Sequence, residues 1–108
     1  MGTTKGVPIK DFPDYLIYPN GRVYSLKSNK FLIPQKSGGT KYLKVTIRNE
    51  NGIKQKLIHR LVAETFLDNP NNLPEVDHID CNPSNNNVEN LQWISKKDNL
   101  EKSYQLGN

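Results

Sequence analysis

EVDHID, residues 75–80, sets Val76, His78 and Asp80 against Asp77 and Ile79, the period-two alternation of a strand. Cys81 to Asn90 (CNPSNNNVEN) follows with five asparagines, whose side chains bond to nearby backbone and stabilise an irregular loop. Leu91 to Ile94 (LQWI) predicts the returning strand. Ser95 then stands as a helix N-cap ahead of Lys96 to Tyr104, with Asp98 at the third helical position as an acidic variant of the capping box. The order strand, long loop, strand, helix brings together the first strand, the end of the loop and one face of the helix, a place where a metal site can be built.

Upstream, His59 to Leu67 (HRLVAETFL) spaces Leu61, Val62, Thr65 and Phe66 as one face of an amphipathic helix, and Asp68 to Pro74 (DNPNNLP) ends it. Before that the period is two. Tyr15 to Leu26 (YLIYPNGRVYSL) is a hairpin about Pro-Asn-Gly, Phe31 to Pro34 is a candidate short strand, and Gly38-Gly39 breaks the chain. Tyr42 to Arg48 alternates Leu43, Val45, Ile47 with Lys44, Thr46, Arg48, turns at Asn49 to Gly52, and returns over Ile53 to Ile58. The expected fold is α+β: small antiparallel hairpins and a helix, then the strand–strand–helix unit. Residues 1–56 are the basic β region and 57–108 the helix plus that unit, in a single compact domain.

Charge divides the chain at the same place. Met1 to Lys56 carries eleven Lys or Arg against Asp11, Asp14 and Glu50, a balance of +8; from Leu57 onward four basic residues face eight acidic ones, a balance of −4. A basic half suits phosphates, and clustered carboxylates suit a cation. In 108 residues there is no apolar run near the roughly 18 that a membrane span requires, and the start, MGTTKGVPIK, has no secretory character. The single cysteine, Cys81, excludes an internal disulfide framework or a four-cysteine zinc site. Together these favour a cytoplasmic location.

The residues Val76-Asp77-His78-Ile79-Asp80, Asn85-Asn86, Glu89-Asn90-Leu91-Gln92-Trp93 and Asn99 resemble the ββα-metal motif of the HNH endonucleases, in particular the phage and intron-encoded homing branch. His78, Asn90 and Asn99 would be the three letters, with Asn in the place of the final His. His59-Arg60-Leu61-Val62-Ala63 and Phe66 are similar to the family's leading helix, and Tyr18 to Leu26 to a short module that often precedes it; the resemblance runs from about Phe12 to Ser103.

The resemblance implies a metal-dependent DNA endonuclease. Hydrolysis of a phosphodiester needs an activated water and stabilisation of charge on the phosphorane and the leaving 3′ oxygen. His78, whose ordinary pKa of about 6.5 lies near the working pH, is the expected base. Asp77 and Asn99 are the expected ligands of one divalent ion, hard oxygen donors that favour Mg²⁺ or Mn²⁺ over Zn²⁺, provided the strand bends to bring Asp77 round. Asn90 would brace the loop and orient the His78 ring. Asp80 is a further candidate ligand or a turn cap, Asn85 and Asn86 brace the loop, Trp93 is a core residue before it is a base-stacking platform, His59 is structural or a phosphate contact, and Cys81 is a bystander.

Double-stranded DNA is the expected partner, met by Arg22, Lys27, Lys44, Arg48, Lys54, Lys56 and Arg60, with the lysine hairpin lying along the backbone or in the major groove. One site cuts one strand, so a monomer or weak homodimer that nicks is expected. The residues alone also allow a non-catalytic DNA-binding module on the same framework, or an RNA-binding or structural phage protein.

Overall fold

The computed structural model describes residues 5–105; Met1 to Thr4, part of the N-terminal stretch considered above, lie outside the described residues. The elements run β1 (Val7–Ile9), β2 (Phe12–Ile17), β3 (Val23–Ser25), β4 (Lys30–Phe31), β5 (Gln35–Lys36), β6 (Leu43–Asn49), β7 (Gly52–Leu57), α1 (Ile58–Phe66), β8 (Glu75–His78), β9 (Leu91–Ile94) and α2 (Lys96–Gln105), with one 3-10 turn over Val88–Asn90. They form three antiparallel sheets: β1-β2-β3-β4, β5-β6-β7 and β8-β9. The α+β class holds. No described helix is long and apolar enough to cross a membrane.

One apolar core spans both halves. Ile9, Phe12, Ile17 and Val23 from the first sheet meet Val45 and Ile47 from the second, and α1 supplies Ile58, Leu61, Val62 and Ala63; Val76 and Leu91 close it from the third sheet. α1 therefore lies at the centre, on the face predicted from Leu61, Val62 and Phe66. Ile17 and Ile47 are almost wholly buried, so truncating either to Ala would cost about 3 kcal/mol in lost transfer energy and cavity.

The strand bounds differ from the sequence expectation where side-chain period alone is a poor guide. β1 was not foreseen, since Val-Pro-Ile is short and its proline has no N–H to donate; it is an edge strand, where that lack is tolerated. The strand expected over Phe31 to Pro34 is only Lys30–Phe31, and Gln35–Lys36 instead joins β6. β8 stops at His78, so Asp80 does not continue on the His78 face: Cys81 takes a φ of 65°, its N–H donates to the His78 carbonyl at 2.9 Å, and the Asp80 carboxylate accepts from the Asn82 N–H at 2.8 Å.

The β8-β9 ribbon lies between the two helices. Register pairs Asp77 with Gln92 and His78 with Leu91, so Val76, His78 and Leu91 face α1 while Glu75, Asp77 and Gln92 face α2. α2 starts as expected, with the Ser95 hydroxyl oxygen accepting the Asp98 N–H at 3.0 Å.

Candidate functional site: the two faces of the β8-β9 ribbon

His78 is only 5% exposed. Its Nε2 lies 2.7 Å from Asn86 Oδ1. An amide oxygen accepts but cannot donate, so this contact places the ring proton on Nε2 and leaves the lone pair on Nδ1. Tyr42 stacks on the ring at 5.9 Å between centroids and 17° between planes, and His59 stands beside it at 5.1 Å. His78 is thus fixed by one hydrogen bond and an aromatic wall.

The amide that holds the ring is Asn86, not Asn90. Asn90 braces the loop: its Oδ1 accepts the Asp80 N–H at 3.0 Å, and its Nδ2 donates to Asp80 Oδ1 and to the Asn85 carbonyl, each at 2.9 Å. Asn85 donates to the other Asp80 oxygen at 2.9 Å. These hydrogen bonds, led by that from Asn85, hold the Asp80 carboxyl below its ordinary pKa. Asp80 is the hub of the loop, a turn-capping role. Counting asparagines could not distinguish Asn86 from its neighbours.

His59 belongs to the same buried cluster, in keeping with the structural one of its two expected roles. It opens α1, stacks on Tyr42 at 4.6 Å and is as buried as His78, with no partner for its Nδ1 among the described residues. Burial first, then the neighbouring His78 and Arg60, lowers its pKa to about 4, so it is neutral at neutral pH. No periodicity links two histidines on separate elements; only the seating of β8 on α1 brings them together.

The opposite face is ionic. Asp77 Oδ2 accepts from Lys102 Nζ at 2.6 Å and from Gln92 Nε2 at 2.8 Å. The same ammonium reaches the carbonyls of His78 at 3.0 Å and Ile79 at 3.2 Å, so three oxygens hold one positive charge. One turn earlier on α2, Asn99 Nδ2 donates to Glu75 Oε1 at 2.7 Å, which leaves its carbonyl oxygen free of that bond. Asp77 and Asn99 therefore lie on the same face of the ribbon, the one turned to α2. The strand does not bend, so His78 points the other way. Lys102 was missed as a partner because it lies 25 positions from Asp77.

The basic residues do not form one surface. On the β6-β7 ribbon, Lys44 and Arg48 share a face with Thr46 and Gln55, whereas Lys54 pairs with Ile47 and Lys56 with Val45 on the other face, Lys56 lying over the Phe12 ring. Arg22 lies 3.9 Å over Phe31, and Lys27 pairs with Asp14 in an exposed contact at 3.5 Å. Arg60 is occupied: it donates to the Pro74 carbonyl at 3.1 Å, pairs with Glu64 and lies over Trp93.

Residues 56–101 match the family model for HNH endonuclease. The chain is 48% identical over 95 residues to an uncharacterized HNH endonuclease of Acanthamoeba polyphaga mimivirus, covering 88% of this chain and 28% of that protein. It is 39% identical over 97 residues to the H-N-H endonuclease F-TflII of Escherichia phage T5, covering 88% and 50%. A solved structure of DNA binding and cleavage by the HNH homing endonuclease I-HmuI superposes with a TM-score of 0.84 at 33% identity, over 95% of this chain and 59% of that one. The chain thus spans between about a quarter and three-fifths of the length of these relatives.

Proposed function

Because residues 56–101 belong to the HNH endonuclease family, we propose that this chain hydrolyses phosphodiester bonds of double-stranded DNA, one strand at a time, with His78 as general base. The observation that carries the proposal is the placement of His78 and Asp77 on consecutive residues at the end of β8, each locked by its own partners. With its proton on Nε2 against Asn86, His78 has Nδ1 available to take a proton from water, and the fixed ring need not reorient to do so. The aromatic wall of Tyr42 and His59 covers one side of the ring, which leaves the attacking water and the scissile phosphate to approach from another.

On this reading the α2 face takes a hard divalent cation, although among the described residues no group of three or more His, Cys, Asp or Glu stands together there. Its oxygen donors already hold one ammonium charge, and Asp77 with the Asn99 carbonyl oxygen is a donor set suited to Mg²⁺ or Mn²⁺ with water and phosphate oxygens beside it. When bound, such an ion supplies charge neutralisation at the phosphorane and the leaving 3′ oxygen. Glu75 orients the Asn99 amide, Gln92 orients Asp77, and Lys102 ties α2 to the end of β8. Asn90 and Asp80 keep the loop in the shape that presents Asn86. DNA would be held by phosphate contacts from Lys44 and Arg48 on one face of the β6-β7 ribbon, with Arg22, Lys27, Lys54 and Lys56 around it, Arg60 serving chiefly to tie α1 to Pro74.

Supercoiled plasmid incubated with the protein and Mg²⁺ or Mn²⁺ should turn to open circle before any linear form appears. EDTA should stop the conversion, and His78→Ala should slow it by about 100-fold or more. A folded protein that leaves the plasmid supercoiled under both metals overturns the proposal.

A further inference from the structure

The turn between β2 and β3 touches the loop that holds the base. Gly21 is buried with a φ of +87°, and a Cβ placed on it would lie 2.8 Å from the Asn86 Cβ and 3.0 Å from the Asn86 carbonyl oxygen. Two residues earlier in that turn, the Pro19 carbonyl accepts the Val88 N–H at 2.7 Å. The loop is therefore pinned on both sides of Asn87, and the pinned segment carries the amide that holds His78.

At φ +87° a side chain is strained whatever the space around it, and at position 21 the space is closed as well. A side chain of any kind at position 21 meets the backbone of Asn86, which has no flexible end to yield. The turn itself is stiff: the Tyr18 N–H donates to the Arg22 carbonyl at 2.9 Å, Gly21 donates to the Tyr18 carbonyl at 2.9 Å, and Asn20 Oδ1 accepts the Arg22 N–H at 3.0 Å.

We infer that Gly21 and the Pro19 carbonyl are positioning elements of the catalytic site: they seat Asn86 so that its Oδ1 fixes the His78 ring. The N-terminal sheet is then part of the catalytic apparatus as well as a surface for DNA. The inference rests on His78 being the base, and its test includes a readout that does not.

Gly21→Ala should lower kcat about tenfold or more with KM changed less than twofold, because a small displacement of a positioning group is felt in the chemical step. Gly39→Ala is the matched control: it has the same strained sign, φ +74°, but no atom within 4 Å of the added Cβ, and its kcat should equal that of the parent. Combined with Asn86→Ala, Gly21→Ala should add nothing further; multiplicative losses overturn the inference. A raised KM with unchanged kcat also overturns it, making the turn a DNA contact.

If Gly21→Ala does not fold, Val88→Pro replaces it. Position 88 opens the 3-10 turn after an extended Asn87 (φ −69°, ψ 137°), so proline fits and removes the N–H bonded to Pro19; because it also replaces a side chain packed against the core, Val88→Ala, which keeps the N–H, is its control and should retain the parent kcat. For Val88→Pro kcat should fall severalfold at constant KM, and an unchanged kcat overturns the inference. Independently of activity, the imidazole ¹⁵N signals of His78 should show the Nε2-protonated form in the parent and lose that preference in Gly21→Ala or Val88→Pro. Unchanged signals overturn the seating even if the parent proves inactive on DNA.

Discussion

The two faces of the β8-β9 ribbon hold their principal side chains by opposite means. Towards α1, His78 is buried among Tyr42, His59 and the Asn86 amide, none of them an ion pair partner. Towards α2, Asp77 lies among Lys102, Gln92 and the backbone carbonyls at the end of β8, with Asn99 and Glu75 one turn away, a setting dense in charge and donors. The period of two separates them, and the difference suits the roles proposed for each: a group proposed to take a proton sits among neutral neighbours, and a carboxylate proposed as a cation ligand sits among groups that compensate its charge.

The sharpest break between the faces comes from consecutive substitutions. His78→Ala and Asp77→Ala should both reduce plasmid nicking by about 100-fold or more, but only Asp77→Ala should abolish the rise in melting temperature on adding millimolar Mn²⁺. If His78→Ala loses that rise as well, the faces are not independent.

Lys102→Met tests the α2 face. It leaves the 8% exposed Asp77 without its cation, which should cost about 2 kcal/mol in metal-free buffer, and Mg²⁺ or Mn²⁺ should restore more of that loss than it adds to the parent. Equal metal responses in the two proteins would remove Asp77 as a ligand.

On the α1 face, acid should be the probe. His59 has a folded pKa of about 4 against an ordinary 6.5, so between those values the unfolded chain binds a proton that the native protein does not. Stability is therefore complete above about pH 6.5 and falls as pH drops towards 4, by on the order of 2 kcal/mol. Asp80, held low by its asparagines, adds a loss in the same direction as pH falls below the ordinary carboxylate range. Urea unfolding at pH 5 and 7 should show a smaller difference in His59→Gln; an identical difference would mean that His59 titrates normally.

The smallest effect concerns the ribbon that carries the lysines. Lys44→Ala with Arg48→Ala, on one face, should reduce the slope of log affinity against log salt by nearly 2, about 0.9 per phosphate contact, whereas Lys44→Ala with Lys54→Ala, on opposite faces, should reduce it by about 1. Equal reductions would mean that DNA wraps both faces.

The sequence made the strand–loop–strand–helix order legible, because its alternation, its asparagine loop and the Ser95 cap are local signals. It also gave the sidedness of Asp77 and His78, and the structure keeps that alternation without a bend. What it could not show are contacts made by tertiary docking: His59 beside His78, Lys102 on Asp77, Asn86 and not Asn90 at the ring, and Gly21 under the loop. Each joins residues on different elements, where neither period nor spacing carries information. The ribbon is an intermediate case. Counting residues from the Asn49 to Gly52 turn places Lys54 opposite Ile47, so the separation of the lysines was available from register once the turn was fixed.

Cys81 supplies the chain's single thiol, exposed, at the left-handed residue where β8 gives way to the asparagine loop, with its N–H on the His78 carbonyl. A fluorophore or spin label can therefore be attached there without any mutation, three residues from the proposed base. Its mobility would report, in the wild-type sequence and in real time, whether the loop tightens when DNA and metal arrive.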